Sequence, residues 1–410
     1  MKVAVIGAGA SGLMAAYAAA RNGNEVNVFE KNEKSGKKIY ITGKGRCNLT
    51  NAVSWQEFLL NVVNNSKFLT GAIHSFSPDD TINFFENAGL KLKTERGNRV
   101  FPVSDKASDV TKFLEKECLK EGVKFNFNKK VDDICVLNST VSDIIVNNCK
   151  IPFDKVIVCT GGISYPDTGS TGDGYKFAYS CGHRVTELKP ALCGLNLKGS
   201  YYLQLQGLSL KNVGLSIFYG DKCIKSLFGE MLFTHFGVSG PLILTASSLI
   251  NRLDLNKIRL SLDLKPALSE ERLDERILRD FSSAQNKTIS NVLKSLLPSA
   301  IIGEVLLRSN IDADKKVNAV SKAERRALLT VIKNFDIFIK SLRSFDEAIV
   351  TSGGVDVKEV NPKTMESKLI KGLYFCGELL DVDAFTGGFN LQIAFSTGFA
   401  AGNSIISEDL

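Results

Sequence analysis

The sequence lacks the residue patterns that hold structural metals or build disulfide frameworks. Among 410 residues there are three histidines, and none of the nine cysteines belongs to a Cys-x-x-Cys pair. The spacings of metal ligands are therefore missing, and an odd number of cysteines without close pairs does not indicate a disulfide scaffold. We expect no metal site, reduced cysteines and a cytoplasmic protein.

Long apolar runs and a strong charge excess are also absent. No stretch approaches the roughly 20 apolar residues that a membrane-spanning helix requires, so we expect no membrane span. The formal net charge is +7, with 23% charged and 44% hydrophobic residues. This modest excess favours anionic ligands without requiring a nucleic-acid partner. The length predicts two or three domains with well-filled cores.

The most informative motif that is present lies at the amino terminus. An apolar run at residues 3–6 leads into the glycine turn G-A-G-A-S-G at residues 7–12. An alanine-rich helical pattern follows, and a second apolar run ends at Glu30. Strand, glycine turn, helix, strand and acid form the dinucleotide-binding fingerprint in its required order. A secretory signal peptide is the alternative, but the glycines interrupt the apolar core that a signal needs.

Each part of this fingerprint has a physical role. Gly7 allows the tight turn, Gly9 lets the backbone approach a pyrophosphate, and Gly12 lets helix and strand pack closely. The free N–H groups at the start of the helix face the phosphates. Glu30 is placed to accept hydrogen bonds from ribose hydroxyls.

The segment after Glu30 indicates which dinucleotide binds. A domain for NAD would continue with its next helix and strand, whereas residues 31–51 resemble a long loop rich in glycine, cations and amides. Such a loop favours a cofactor that extends further across the domain, as FAD does. For Lys31 and Lys34 a solvent-facing role is the alternative. Cys47 has no second cysteine nearby in sequence, so we expect it to pack beside the cofactor rather than exchange electrons with it.

Two later segments also indicate a cofactor. A short buried strand at residues 155–159 runs into Thr160-Gly161-Gly162, and ligands lie beyond the carboxyl ends of parallel strands. A helix from about residue 391 to residue 405 follows a turn that contains Gly388 and Asn390. The N–H groups at its start would face the pyrimidine oxygens of a flavin.

The hydrophobic pattern predicts an α/β protein whose Rossmann-like FAD-binding domain is split. Residues 1–190 would form the N-terminal part of this domain, and residues 344–410 its C-terminal part. Alternating apolar segments predict an inserted β-rich domain at residues 191–268. Helically spaced apolar residues among many charges predict a small inserted helical domain at residues 269–343.

Several separated motifs resemble those of one family. They include G-K-G-R-C-N-L-T-N at residues 43–51, R-V-F-P at 99–102, T-G-G-I-S-Y-P at 160–166, G-E-M-L-F-T-H-F-G-V-S-G-P at 229–241, G-E-L-L-D-V-D at 377–383 and T-G-G-F-N-L-Q at 386–392. Together with the fingerprint they resemble, nearly end to end, the BaiN/YhiN-like family of NAD(P)/FAD-dependent oxidoreductases. One departure is Ala384-Phe385, where the family pattern would place a glycine next to the aspartate.

The resemblance implies FAD as cofactor, and it implies that the backbone near Val131 contacts the adenine. With the fingerprint, the predicted cofactor-binding residues are Gly7, Gly9, Ala10, Ser11, Gly12, Glu30, Lys31, Lys38, Arg46, Cys47, Asn48, Thr50, Val131, Thr160, Gly161, Gly162, Gly377, Glu378, Asp381, Gly388, Asn390, Leu391 and Gln392.

The resemblance further implies an enzyme, with NAD(P)H as electron donor and a small organic molecule as substrate. It suggests reduction of an activated C=C bond in a hydrophobic enone, bile-acid-like or steroid-like. Hydride would pass from flavin N5 to the β-carbon while His235 or Tyr165 supplies the proton. The alternatives are a histidine hydrogen-bonded within the β-rich domain and a tyrosine packed on Pro166. Because no second G-x-G-x-x-G follows a strand, the nicotinamide would enter the cleft beside the flavin.

Three other functions are consistent with the sequence. The first is a flavin-dependent oxidase of a small amine such as aminoacetone. The second is a flavin-dependent tRNA-modifying protein, suggested by a pI of about 8.8 and the cationic segment at residues 31–46. The phosphates of FAD account for part of that charge, so nucleic acid is not the expected partner. The third is a flavin-binding protein without catalytic activity.

Overall fold

The computed structural model describes residues 1–406, which fold as two compact units. The first unit comprises Met1–Ala191 and the chain from Phe345 onward, and the second comprises Leu192–Ser344. The strands, in chain order, are β1 (Lys2–Ile6), β2 (Glu25–Glu30), β3 (Thr50–Asn51), β4 (Val62–Asn64), β5 (Leu92–Glu95), β6 (Arg99–Pro102), β7 (Lys124–Phe127), β8 (Val131–Leu137), β9 (Thr140–Val146), β10 (Cys149–Pro152), β11 (Lys155–Val158), β12 (Lys189–Ala191), β13 (Leu195–Leu197), β14 (Ser209–Tyr219), β15 (Lys222–Thr234), β16 (Gly237–Ser239), β17 (Ile258–Asp263), β18 (Phe335–Leu342), β19 (Val350–Ser352), β20 (Leu373–Phe375) and β21 (Asp383–Ala384).

The helices, in chain order, are α1 (Ala10–Arg21), α2 (Lys37–Ile41), α3 (Trp55–Leu59), α4 (Thr70–Ser75), α5 (Pro78–Asn87), α6 (Ala107–Lys120), α7 (Asp173–Ser180), α8 (Pro241–Ile250), α9 (Glu270–Ser283), α10 (Ile289–Val292), α11 (Ser299–Arg308), α12 (Lys322–Lys333) and α13 (Phe389–Ser404). Within residues 1–406, none of these helices is long and apolar enough to cross a membrane.

The first unit is built on a parallel sheet with the strand order β20-β11-β1-β2-β7. All four neighbouring pairs in this sheet are parallel. Strand β1 is central and buried over four consecutive residues, because a parallel strand in the middle of such a sheet is covered on both faces. This is the Rossmann-like sheet that the sequence predicts, and its carboxyl edge is where the glycine turn lies.

Small residues bring the last helix of the unit against the first. A Cβ added at Gly398 would overlap the backbone of Ser11, and one added at Gly402 would overlap the carbonyl group of Ala15. The alanine-rich helix α1 therefore packs on α13 at a distance that only glycine allows. This packing fixes the C-terminal segment beside the glycine turn, although the whole second unit separates them in the sequence.

The segment after Glu30 differs in part from the prediction of a long loop. Residues 37–41 form the short helix α2, which buries Ile39 and leaves Tyr40 partly exposed. A helix of five residues has too few turns for a hydrophobic period to be visible in the sequence. The helix ends because Thr42 is extended, and the glycines that follow, Gly43 and Gly45, both have positive φ angles.

The second unit contains a closed barrel with the strand order β13-β16-β15-β14-β17-β18. Helices α9–α12 share one hydrophobic core with it. Strand β18 lies within the range that the sequence predicts as helical. It buries Phe335, Ile337 and Ile339 in alternation, which is the period of a strand. The predicted division of this unit at residue 268 stays a prediction.

Candidate functional site

The glycine turn connects β1 to α1 at the carboxyl edge of the parallel sheet. Gly7 has a φ of +102°, and a Cβ there would lie 2.6 Å from the carbonyl oxygen of Cys159. A Cβ at Gly12 would overlap the carbonyl oxygen of Gly7. By contrast, a Cβ at Gly9 would meet no protein atom within 4 Å, and Gly9 lines a cavity. Packing therefore requires Gly7 and Gly12, whereas Gly9 leaves room for a ligand at the start of the helix.

Glu30 closes this turn from the neighbouring strand. Its Oε2 accepts a hydrogen bond of 2.8 Å from the backbone N–H of Ala8. Its Oε1 accepts from the backbone N–H and the side-chain amide of Asn32, at 2.9 and 2.7 Å. A carboxylate oxygen accepts more than one hydrogen bond, so ribose hydroxyls can share the group. Asn32 is a residue that the sequence analysis missed, and only its position two residues after the acid indicates it.

One cavity joins the two ends of the predicted cofactor site. Its wall includes the glycine turn at residues 7–11, the residues 159–161 that follow β11, and Asn390, Leu391, Ile393 and Ala394 at the start of α13. It lies at the carboxyl edge of the parallel sheet, where ligands bind in folds of this type. The predicted cofactor residues in this wall are Gly7, Gly9, Ala10, Ser11, Glu30, Lys31, Lys38, Val131, Thr160, Gly161, Glu378, Asn390 and Leu391.

Other predicted cofactor residues lie outside this wall. Gly162 and Gly377 are packing positions, where a Cβ would press on the side chains of Thr351 and Ser11. Gly388 precedes α13 with a φ of +97° and contacts the backbone of Thr50. The full set outside the wall is Gly12, Arg46, Cys47, Asn48, Thr50, Gly162, Gly377, Asp381, Gly388 and Gln392. A role for these residues in cofactor binding stays a prediction.

The Arg46 side chain is held by two carboxylates, and its predicted contact with the flavin stays a prediction. It donates to Asp105 at 2.8 Å and to Glu95, and its guanidinium lies 4.2 Å from the centre of the Phe101 ring. Hydrogen bonding to Arg46 lowers the pKa of Glu95, and hydrogen bonding to Lys93 and Arg46 lowers the pKa of Asp105. Sequence spacing did not show these partners because they come from β5 and from the turn after β6.

Asn390 holds the turn before α13. Its Oδ1 accepts from the backbone N–H of Ala384 at 2.9 Å, and its Nδ2 donates to the Ala384 carbonyl at 2.8 Å. Both ends of the amide are thereby used within the protein, and the residue forms part of the cavity wall. Ala384 forms a strand pair with β4, a conformation that any residue adopts. The absence of the family's glycine at this turn is therefore compatible with the fold.

Buried polar atoms without partners are consistent with a bound group. The Oδ1 of Asn48, the Oγ1 of Thr50, the Oγ1 of Thr160 and the Oε1 of Gln392 are buried without a hydrogen-bond partner among residues 1–406. Leaving such an atom unpaired costs about 1–3 kcal/mol. All four residues were predicted to bind the cofactor. Of these four residues, Thr160 lines the cavity, and its unpaired hydroxyl together with the open space at Gly9 fits an extended dinucleotide such as FAD.

A hydrogen-bond network centred on Glu378 connects four segments at the cavity. Its Oε2 accepts from Lys38 Nζ at 2.7 Å, and its Oε1 accepts from the Ser164 hydroxyl at 2.7 Å and the Thr351 backbone N–H at 2.9 Å. Lys38 also donates to the Ser164 hydroxyl at 2.6 Å. The sequence analysis identified Lys38 and Glu378 but missed Ser164 and Thr351. Ser164 lies inside the T-G-G-I-S-Y-P motif, which is the signal that would have found it.

The two predicted proton donors lie in different units. Tyr165 has a φ of +52°, and Lys38 Nζ lies 6.0 Å from the centre of its ring. Burial, followed by the charge of Glu347, raises the pKa of Tyr165, so the phenol stays protonated at neutral pH. His235 is exposed in the second unit, between β15 and β16, with its ring edge-on to Phe236. Neither residue lines the cavity, and their catalytic roles stay predictions.

The fold and this site define a FAD-dependent oxidoreductase. Residues 1–404 match the family described as "HI0933-like protein Rossmann domain". The chain belongs to this family, which confirms the predicted resemblance to the BaiN/YhiN-like flavoproteins.

Relatives with assigned activities span nearly the whole chain. A 3-dehydro-bile acid delta(4,6)-reductase of Clostridium scindens is 31% identical over 407 residues, covering 98% of each chain. A ribosomal RNA dihydrouridine synthase of Haemophilus influenzae is 30% identical over 406 residues, covering 98% of this chain and 97% of the relative. The enzyme of the same description from Escherichia coli is 29% identical, with the same coverage.

Solved structures confirm the predicted fold class. The 3-ketosteroid-delta4-(5alpha)-dehydrogenase of Rhodococcus jostii superposes with a TM-score of 0.55 at 15% identity, covering 99% of this chain and 96% of that one. A flavocytochrome c3 fumarate reductase superposes with a TM-score of 0.51 at 16% identity, covering 99% and 78%. At these identities the likeness shows the fold alone.

Proposed function

We propose that this enzyme reduces a carbon–carbon double bond conjugated to a carbonyl group, with NAD(P)H as electron donor. The observation that carries the proposal is the single cavity whose wall contains both the glycine turn and the first turn of α13. The full-length relatives support the chemistry. A 3-oxo bile acid with a Δ4,6 system and the uracil ring of RNA are different molecules, but each has a C=C bond in conjugation with a carbonyl group.

The chain's own residues would bind and orient the cofactor. When bound, FAD supplies a two-electron redox centre. The backbone N–H groups of residues 9–11 would bind its phosphates, and the Glu30 carboxylate would accept from its ribose. The backbone N–H groups at the start of α13 would donate to oxygens of its ring system. The Glu378 network would hold Lys38, Ser164 and Thr351 in fixed positions and exclude water from this part of the cavity wall.

The proton required by such a reduction would come from a side chain near the substrate. The neutral phenol of Tyr165 is one donor, since its pKa is raised by burial. The other is the exposed imidazole of His235. A substrate carbonyl held by such a donor becomes a better electron acceptor, which is the usual contribution of an acid to conjugate reduction.

A hydrophobic enone of the bile-acid or steroid type is our first candidate substrate. Apolar side chains of Ile349, Val350, Val382 and Ile393 contribute to the cavity wall. This wall suits the flat ring system of the cofactor, and the full-length relative described as a 3-dehydro-bile acid delta(4,6)-reductase supports a substrate of this type. We also propose a cytoplasmic location, which the nine free cysteines support because a reducing compartment keeps thiols unpaired.

A uracil base in ribosomal RNA is the second candidate. Two relatives at 30% and 29% identity support it, and they cover as much of the chain as the bile-acid enzyme does. The formal net charge of +7 is compatible with an anionic partner. This candidate departs from the sequence-based expectation of a small-molecule partner alone.

The decisive experiment has two stages. The purified protein is first titrated anaerobically with NADH and with NADPH while its visible spectrum is recorded, and we expect bleaching of a flavin band by at least one of them. The reduced protein is then mixed with a 3-oxo-Δ4 steroid or with unmodified ribosomal RNA. Re-oxidation faster than in buffer, with a product heavier by two hydrogens, supports reduction of that substrate. Re-oxidation by neither, or hydrogen peroxide production on adding aminoacetone, would contradict the proposal.

A further inference from the structure

The outer surface of the barrel carries a row of alternating cations and aromatic rings. Phe338 of β18 lies opposite Arg259 of β17, and Arg259 lies opposite Phe218 of β14. On the other side, the backbone N–H of Lys198 donates to the Phe338 carbonyl at 2.9 Å. Lys340 follows two residues after Phe338 on the same face of the strand. We call these five residues, Lys198, Arg259, Phe218, Phe338 and Lys340, the barrel patch.

Folding of the barrel does not require an aromatic side chain at residue 338. Its neighbours Ile337 and Ile339 are buried in the barrel core. The alternation of the strand therefore turns Phe338 outward, where 49% of the residue is exposed. Lys198 and Lys340 are exposed as well. An exposed ring between cations is the arrangement on which unpaired nucleic-acid bases stack.

Contacts around the barrel patch hold Arg259 in place. The Arg259 guanidinium lies 4.1 Å from the centre of the Phe218 ring and donates to Asp336 at 2.9 Å. Asp336 is the carboxylate that faces the row, and this ion pair already neutralises it. Asp221, in the turn after β14, is exposed at the end of the barrel. The charge of Lys198 and Lys340 is thus available to an anionic partner.

A pocket adjoins the barrel patch. It is lined by Asn196, Lys198, Tyr202, Phe236 and Lys340, and no carboxylate is found among the described residues of its wall. The Asn196 amide donates to the Ser341 hydroxyl at 2.8 Å, and its oxygen accepts from Arg343 at 3.2 Å. The amide is thus used within the barrel, and the two lysines and two aromatic rings of the wall provide contacts for a phosphate and a base at one place.

We propose that the barrel patch and this pocket bind a single-stranded segment of RNA. Bases would stack on Phe338, and phosphates would contact Lys198 and Lys340. The strand must be single, because the bases of a duplex are not free to stack on a protein ring. This inference rests on the second form of the proposed function, in which the reduced base is a uracil in ribosomal RNA, and it assigns the RNA-binding role to the second unit.

The test uses the full-length protein with bound flavin and a fluorescein-labelled oligouridylate of about 12 nucleotides. Fluorescence anisotropy at about 50 and 200 mM KCl gives Kd and its salt dependence. We expect the variant Phe338→Ala to raise Kd at least tenfold. The double variant Lys198→Gln/Lys340→Gln should raise Kd and reduce the salt slope by about 1.4, since each phosphate contact to a single strand contributes about 0.7.

Control variants make comparable changes elsewhere in the second unit. Lys287→Gln/Lys322→Gln removes two exposed lysines, and Leu307→Ala removes an apolar side chain that is 73% exposed. These controls should bind like the wild type. Patch variants that bind within twofold of the controls, or a wild type that does not bind the oligomer, would overturn the RNA-binding assignment.

The failure of this inference is distinguishable from failure of the proposed function. Every variant is also scored for flavin content and for reduction by NAD(P)H, which the patch variants should leave unchanged. If the protein reduces a steroid enone but does not bind RNA, the inference is wrong and the reductase proposal stands. If RNA binds through the barrel patch but neither substrate is reduced, the inference stands and the reductase proposal is wrong.

Discussion

The Lys38 ammonium lies 2.7 Å from the Glu378 carboxylate, although 340 positions separate the two residues in the chain. Their side chains are 23% and 19% exposed, so solvent screens this pair less than an ion pair at the surface. Lys38 belongs to α2, and Glu378 to the turn after β20. The pair therefore joins the amino-terminal and carboxy-terminal parts of the first unit at the wall of the cofactor cavity.

Replacing Glu378 by glutamine should remove the ion pair that joins these two parts and so destabilise the first unit. The amide must turn an N–H group toward Lys38, Ser164 or the Thr351 backbone, all of which donate to the carboxylate in the wild type. Because a mostly buried cation then loses its partner, we expect a loss of about 3 kcal/mol in the free energy of unfolding, measured in urea. Glu33→Gln is the control, since Glu33 pairs with Lys37 at the surface and is 59% exposed. Equal stability of the two variants would refute the coupling.

Substitution of Gly9 by alanine should weaken cofactor binding without harming the fold. The backbone of Gly9 has a φ of −81°, which alanine adopts without strain, and a Cβ there meets no protein atom within 4 Å. The methyl group would instead occupy the space at the start of α1 where the phosphates are expected. Titration of the apoprotein with FAD should show at least a tenfold higher Kd, with an unchanged thermal midpoint of the apoprotein. Gly303→Ala, at an open helical position, should bind FAD like the wild type.

Some residues of this site could be predicted from the sequence, and others could not. The sequence predicts a glycine turn after the first strand and an acid at the end of the second. The structure has Gly7, Gly9, Gly12 and Glu30 at these places, because a local turn and a strand pair determine their geometry. Ser164 and Thr351 were missed, because their meeting with Glu378 depends on how β11, β19 and the turn after β20 come together. Sequence spacing carries no such information.

Sequence spacing does not show which distant segments meet, and this also explains why the secondary structure differs from the prediction at β18. Strand β18 was assigned to a helical segment because it directly follows the amphipathic helix α12, and only its pairing with β13 and β17 shows that it closes the barrel. The segment around Arg46 predicts contacts with a flavin, which stay a prediction, but it does not show the carboxylates that hold the guanidinium. Glu95 and Asp105, which hold it, are distant in sequence.

The packing of α1 on α13 gives a prediction about stability. Because a Cβ at Gly398 overlaps the Ser11 backbone, Gly398→Ala must push the two helices apart. Overpacking of this kind costs about 1–3 kcal/mol. Chemical denaturation should show this loss, together with weaker FAD binding, since both helix starts line the cavity. The same substitution at Gly303, in α11, should be neutral or stabilising because alanine favours helix. A Gly398→Ala protein as stable as wild type would show that the helices adjust freely.

The Cys47 thiol should be unreactive in the folded protein. Burial raises its pKa to about 12, so the thiol stays protonated at pH 8 and the nucleophilic thiolate is scarce. Cys149 and Cys223 are exposed and should react with iodoacetamide first. Peptide mass spectrometry after brief alkylation measures the order of labelling. Modification of Cys47 as fast as Cys223 in the native protein would contradict this, and would reopen a redox role beside the flavin.

His183 should make the stability of the first unit depend on pH. It is buried, its Nε2 lies 2.7 Å from the Ser367 hydroxyl, and its ring packs edge-on against Phe375. Burial lowers its pKa below the ordinary value of 6.5, against a smaller opposing effect of Glu359. The unfolded chain therefore binds a proton at a higher pH than the folded chain does. The stabilising contribution is complete above the unfolded pKa and is lost as pH falls from there toward the folded pKa.

Unfolding in urea at about pH 7.5 and about pH 5.5 measures this dependence. We expect the wild type to lose more free energy of unfolding over that interval than His183→Gln, which has no imidazole to protonate. His74→Gln is the matched control, since His74 is exposed and stacks only on the edge of Trp55. The His74→Gln protein should lose as much free energy of unfolding over this pH interval as the wild type does. If His183→Gln loses as much free energy of unfolding over this interval as the wild type, the buried imidazole does not titrate there. The acid sensitivity of the fold must then arise from carboxylates.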